Sequence, residues 1–299
     1  MNQISNRMES NTLKTLPMEF LHGLSQIMLQ QNAITGILFL IGIFWGSISI
    51  GFAALTATLI GTLTARWLGY DKAEIYQGLF GFSPALVGVA SLVFFKLTIM
   101  TCFVIIIGSA AAAFLQHYFI RWRIPAFTFP FVLVTWVSIY LIEKIIPEMM
   151  VVSVENPLIS KDTWHFVFRG YGQVIFQGSV VVGVLFFVAV LLNRPITAIF
   201  GLIASLLGAS VAMYILLDEQ SAAAGLWGFN AVLCAIALAG KKVSDGMWAL
   251  ISVTISLVVT WVMMHFGLVQ LTFPFVFSAC LVTYIKNYFE SRIKDASSA

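Results

Sequence analysis

Two glutamines, two phenylalanines, two leucines and two threonines recur in this chain at nearly constant spacing. Gly23-Leu-Ser-Gln26 returns as Gly170-Tyr-Gly-Gln173, 147 positions on, and Gly36 returns as Gly183 at the same offset. Gly78-Leu-Phe-Gly-Phe-Ser-Pro-Ala-Leu86 returns as Gly225-Leu-Trp-Gly-Phe-Asn-Ala-Val-Leu233, also 147 on. Thr128-Phe-Pro-Phe-Val132 is repeated unchanged as Thr272-Phe-Pro-Phe-Val276, 144 on. Glutamine and threonine oxygens accept hydrogen bonds and aromatic faces select flat molecules, but neither group performs acid–base chemistry at neutral pH. Three blocks in one order at nearly one spacing mark an internal duplication.

The elements that must carry these residues are membrane helices. Of 299 residues 60% are hydrophobic and 10% charged, and the mean hydropathy is +0.96. Soluble domains carry about 25% charged residues, so the composition excludes an ordinary soluble enzyme, a nucleic-acid binder and a disordered protein. The net charge of +3 points to no acidic partner. Cys102, Cys234 and Cys280 lie in separate apolar runs, which fits neither a disulfide framework nor a metal site. The polar first twenty residues lack the apolar core of a secretory signal.

Charged residues punctuate the chain. None lies between Glu19 and Arg66, nor in 75–95, 97–120, 124–142, 170–193, 195–217, 220–240 or 246–285. At about 20 residues per crossing, these stretches predict an all-α integral membrane protein of about ten transmembrane helices, five in each repeat. An odd number of crossings per repeat inverts the second against the first. The expected divisions are a tail (1–17), a first membrane repeat (18–146), a linker loop (147–164), a second repeat (165–286) and a second tail (287–299). Arg7, Lys14, Lys286, Arg292 and Lys294 place both tails in the cytoplasm by the positive-inside rule. Glu143, Glu148, Glu155 and Asp162 place the linker outside. Trp45, Trp67, Trp122 and Trp261 read as interfacial anchors.

Every acidic residue falls at a segment end, in a loop or in a tail, and His22, His117, His165 and His265 are scattered. Ion-coupled transporters generally keep an ionisable residue inside the bundle, so the pattern predicts a neutral permeant moving down its gradient. The Gly- and Pro-rich repeated blocks are not ordinary spanning helices, and their loosened carbonyls must face protein or a polar pathway. Gly-mediated helix packing is the alternative. Pro130 and Pro274 suit helix starts, where a missing N–H costs little.

Taken together, Gly-x-x-Gln, Gly-Leu-[Phe/Trp]-Gly-Phe-[Ser/Asn]-x-x-Leu and Thr-x-Pro-Phe, each present twice, resemble the urea transporters over about residues 18–290. The resemblance implies a homotrimer of one pore per protomer, two five-helix halves each with a pair of re-entrant half-helices pointing into that pore, urea as permeant, a lipid environment and no cofactor, metal or nucleic acid. It implies that Gln26 and Gln173 supply oxygens to the urea amides, and that Phe82 and Phe229 wall two aromatic slots. Phe176 would be the second wall of one slot; Leu29 stands at the matching place in the other. Leu86 and Leu233 would contribute carbonyls and a narrow waist, and Thr128 and Thr272 the rim of a central site. Ser83-Pro84 departs from the Asn-Gly that the family commonly carries after the aromatic. Gln30, Gln31 and Asn32 read either as part of a mouth or as solvated residues. A channel for another small neutral solute (a short amide, ammonia, glycerol or water) stays open as an alternative. A membrane-embedded transferase is disfavoured by the absence of a clustered Asp, His or Glu set.

Overall fold

The computed structural model describes residues 15–151 and 165–298, with side chains described as far as Ser291. The expected tail residues 1–14 and linker residues 152–164, with Arg7, Lys14, Glu155 and Asp162, lie outside the described residues, as do the side chains of Arg292 and Lys294. Among the described residues the regular secondary structure is helical. In order these helices are α1 (Thr15–Met28), α2 (Ala33–Gly46), α3 (Ile48–Trp67), α4 (Lys72–Tyr76), α5 (Phe82–Phe94), α6 (Ile99–Arg121) and α7 (Phe129–Ile145). Then follow α8 (His165–Gln173), α9 (Val180–Asn193), α10 (Pro195–Tyr214), α11 (Glu219–Ala223), α12 (Phe229–Leu238), α13 (Val243–His265) and α14 (Phe273–Ser298).

The same succession therefore occurs twice. Helices α2 and α9 have 14 residues each, α3 and α10 20, α4 and α11 five, and α6 and α13 23. Four helices (α3, α6, α10 and α13) are long and apolar enough to cross a membrane, and α1 with α2 makes a fifth crossing if that pair, bent by 74°, is one span. The expected ten crossings exceed this because α5, α9 and α12 are shorter apolar helices, below the roughly 20 residues a full crossing takes. Ile106, Ile107, Phe103 and Phe114 on α6, and Ile199, Ile203 and Leu206 on α10, are exposed. Such outward apolar faces belong in lipid, and the chain is an integral multi-pass membrane protein. All four expected anchor tryptophans are exposed as well.

By contacts the chain forms two compact units. Within the described residues, one comprises 15–124 and 133–151, the other 125–132 and 165–298. The first Thr-Phe-Pro-Phe block thus packs with the second unit, beside its own copy.

In the first unit α5 is central: Phe82 through Ser91 are all buried. In the second, Phe229 through Ile236 of α12 are likewise buried. Small residues let neighbours come close. Gly88 of α5 faces Ala53 and Ala57 of α3, so packing, not helix breakage, explains that glycine. The break lies earlier, at Gly78 (φ 79°) and its counterpart Gly225 (φ 81°), where a side chain would strain the backbone. Helix α5 then runs on through Pro84. Glu19 and Arg66, both largely buried, pair at 2.7 Å and tie α1 to the end of α3.

Helix α9 meets α8 at Gly183, where an added Cβ would run into the Phe168 carbonyl. Gly183→Ala is expected to destabilise the protein by about 1–3 kcal/mol through overpacking. Gly246→Ala in α13 is expected to be tolerated, because its nearest neighbour would be the Phe200 ring at 3.6 Å. Thermal denaturation of the two variants in detergent checks the contrast.

Candidate functional site: two broken helices and their glutamines

Helix α1 ends in a tight turn at Gln26–Met28, and Leu29 takes the left-handed conformation (φ 58°) with its N–H on the Gln26 carbonyl at 2.9 Å. Helix α8 ends in the same way. Phe176 is left-handed (φ 56°), its N–H on the Gln173 carbonyl at 3.0 Å. A left-handed non-glycine residue costs about 1–2 kcal/mol, and here it occurs at the same place in both repeats. These turns stop the helix so that the glutamine sits in its last turn.

Each glutamine is held by one bond. Gln26 Nε2 donates to the Gln77 carbonyl at 3.0 Å, and Gln173 Nε2 donates to the Ala224 carbonyl at 2.9 Å. A carbonyl oxygen only accepts, so the amide nitrogen must face it, which fixes the orientation of each amide. Both side chains are half-buried, and Oε1 of each has no protein partner among the described residues. The arrangement presents one hydrogen-bond acceptor per unit.

The aromatic positions follow from the next helices. Phe82 and Phe229 open α5 and α12, and both are buried. Phe176 is half-buried and meets Phe131 edge-on, with ring centroids 6.3 Å apart. Leu29, its counterpart, is half-buried. Leu86 and Leu233 are fully buried within unbroken helix. Their carbonyls therefore belong to the helical ladder, and the carbonyls exposed by the chain breaks are those at Tyr76–Gln77 and Ala223–Ala224. Thr128 and Thr272, both buried, share a hydrogen bond at 2.6 Å between their hydroxyls. One hydroxyl of this pair must donate to the other, which leaves a single hydroxyl proton for any third group.

Asn230, the residue after Phe229, has a role its sequence position did not reveal. Its Nδ2 donates to the Leu271 carbonyl at 3.1 Å and its Oδ1 accepts from the Phe275 N–H at 3.2 Å, all in buried surroundings. It pins the start of α12 to the turn before α14. The matching Ser83 is fully buried, and its Oγ has no partner among the described residues. Gln30 is neither a mouth residue nor solvated. It is fully buried and donates to the Met28 carbonyl at 2.8 Å, while Ser25 Oγ donates to the Gln30 carbonyl at 2.6 Å. Asn32 caps α2 by accepting from the Thr35 N–H at 3.0 Å. Only Gln31 of the three is exposed.

A model of the urea transporter family matches residues 18–287. The chain belongs to the urea transporter family. Family membership places it among transport proteins rather than enzymes. Among its relatives, urea transporter 1 of Ovis aries is 28% identical over 299 residues, covering 89% of this chain and 74% of the sheep protein. Urea transporter 1 of Rattus norvegicus is 29% identical over 245 residues, covering 74% of this chain and 62% of the rat protein. The match to the rat relative thus spans less than two thirds of that protein's length.

Two further residues of this family member were given no part in the site by the sequence. One turn before Gln26, His22 Nδ1 bonds the Tyr76 carbonyl at 2.6 Å. One turn before Gln173, Arg169 Nη1 donates to the Ala223 carbonyl at 2.9 Å. The 147-residue offset relates His22 to Arg169 as it relates the glutamines. That offset was the available signal; Arg169 was instead read as the boundary of a crossing.

Proposed function

We propose that the chain conducts urea passively across the membrane, through a narrow slot lined by phenylalanines and oxygen acceptors and without ion coupling. The observation that carries this reading is the pair of anchored glutamines, each with its Nε2 spent on a carbonyl and its Oε1 left over. Urea is flat and neutral, with N–H donors on two amide nitrogens. Burying an unpaired amide costs about 2–7 kcal/mol depending on the reference state, and an oriented Gln oxygen offsets part of that cost. Phe82 and Phe229 supply walls that a planar solute can lie against, with Phe176 adding a second wall to one slot. Leu29 makes the matching wall of the other slot aliphatic. The Thr128–Thr272 hydroxyls offer an intermediate polar stop. Several weak sites in sequence permit exit as readily as entry.

Helices α5 and α12 contain no charged residue, which supports a route without proton or sodium coupling. The proposal extends to a homotrimer with a pore in each protomer, to ten membrane-embedded passes arranged as two inverted repeats, and to cytoplasmic termini in the cell membrane. Stopped-flow light scattering on proteoliposomes tests the permeant. Urea is expected to equilibrate faster than in protein-free vesicles, and glycerol, which is not planar, to gain little. Equal acceleration of both would replace this reading with a non-selective pore for small solutes.

A further inference from the structure

Arg169 is half-buried, yet no carboxylate pairs with it among the described residues. Two other shielded cations are neutralised: Arg66 by Glu19 at 2.7 Å and Lys286 by Asp245 at 2.8 Å. One of the five guanidinium N–H groups of Arg169 is bonded to the Ala223 carbonyl. An uncompensated charge in a partly desolvated position is costly, and a carbonyl alone could have been met by a neutral donor. The His22 imidazole makes the equivalent bond in the first unit. The charge at Arg169 therefore calls for a purpose beyond holding α11.

Its position supplies one. Arg169 and Gln173 stand four residues apart on α8, hence on one face. They donate to consecutive carbonyls, Ala223 and Ala224. One turn of helix separates them by about 6 Å along the axis. That spacing sets the scale of the separation between the guanidinium and a solute hydrogen-bonded to Gln173 Oε1.

We propose that Arg169 is the charge discriminator of the second slot: it repels cations that match urea in shape, and lets urea pass. This rests on the urea reading above. At about 6 Å and an effective permittivity of about 20, two unit positive charges disfavour each other by about 100-fold in occupancy. A neutral solute meets no such repulsion, and the urea carbonyl oxygen is attracted to the four remaining N–H groups. Size and flatness cannot achieve this separation, because guanidinium is a flat isostere of urea that differs in charge.

The test measures uptake of urea and of guanidinium into proteoliposomes carrying the full chain. Wild type is expected to pass urea and to hold guanidinium at the level of protein-free vesicles. Arg169→Gln keeps a donor for the Ala223 carbonyl and removes the charge; it is expected to raise guanidinium uptake at least about tenfold relative to urea uptake in the same vesicles. Arg169→Lys, which keeps the charge, is expected to stay guanidinium-tight. An Arg169→Gln protein that conducts urea and still excludes guanidinium would overturn the assignment. So would wild type that conducts guanidinium as fast as urea, a measurement that needs no variant. Wild type without urea flux would remove the urea reading itself, and this proposal with it.

Discussion

Gln173→Ala is expected to lower urea permeation about 10–100-fold in protein that inserts and folds normally. The substitution removes the Oε1 acceptor and strips the Ala224 carbonyl of its partner at 2.9 Å. A permeating amide N–H left unpaired costs about 1–3 kcal/mol, and each 1.4 kcal/mol on a barrier is about tenfold in rate. Gln26→Ala is expected to have a similar effect, since Gln26 makes the equivalent bond to Gln77. The two variants together carry a further signature. Barriers passed in sequence add as resistances, so the double variant should conduct about half as well as either single one. Light-scattering rates normalised to inserted protein check this. Wild-type flux in both single variants would take the glutamines out of the pathway.

Asn230→Ala is the second substitution with a large expected effect, and it acts on the scaffold. It leaves the Leu271 carbonyl and the Phe275 N–H without a partner in buried surroundings. Each orphaned group costs about 1–3 kcal/mol. The start of α12 loses its attachment to the turn before α14, and Phe229 sits at that start. Lower thermal stability should therefore accompany slower urea flux. Ser83→Ala, at the equivalent position of the first unit, is expected to be near neutral. The Ser83 hydroxyl has no partner to lose, and removing a buried unsatisfied group carries no hydrogen-bond penalty. Thermal denaturation in detergent separates the two, and equal destabilisation would show that the Asn230 bonds contribute nothing.

The duplication was legible in the sequence because it is carried by residues whose type matters. Gly36 and Gly183 each abut a backbone carbonyl, of Leu21 and Phe168, and Gly78 and Gly225 each adopt a positive φ. Pro130 and Pro274 each enter the first turn of a helix, α7 and α14. These are constraints on single positions, and a one-dimensional comparison finds them.

What escaped the sequence depends on partners distant along the chain. Nothing local to Gln26 says that its Nε2 will meet a carbonyl 51 residues away, or that Oε1 is therefore the free end. The reading of loosened carbonyls at Leu86 and Leu233 went wrong for a related reason. Within the repeated blocks Gly and Pro were taken to loosen the helix, whereas Gly88 serves a close approach to α3 and Pro84 falls in the first turn of α5. The grouping of 125–132 with the second unit cannot be read from charge spacing, which sees the chain only in order. Arg169 was passed over because a charge beside a long loop reads as an end of a crossing; its half-burial and its bond to Ala223 emerge only in three dimensions.

The claim on which the account turns is that two broken helices, each offering one oriented glutamine oxygen, let urea through down its gradient and do no further work. Purified protein in liposomes, given equal urea on both sides and an imposed proton or sodium gradient, measures this directly. The account predicts rapid equilibration of labelled urea at a rate the ion gradient does not alter, with no net accumulation. Urea concentrated inside the vesicles above the outside level, and released when an ionophore collapses the gradient, would contradict it.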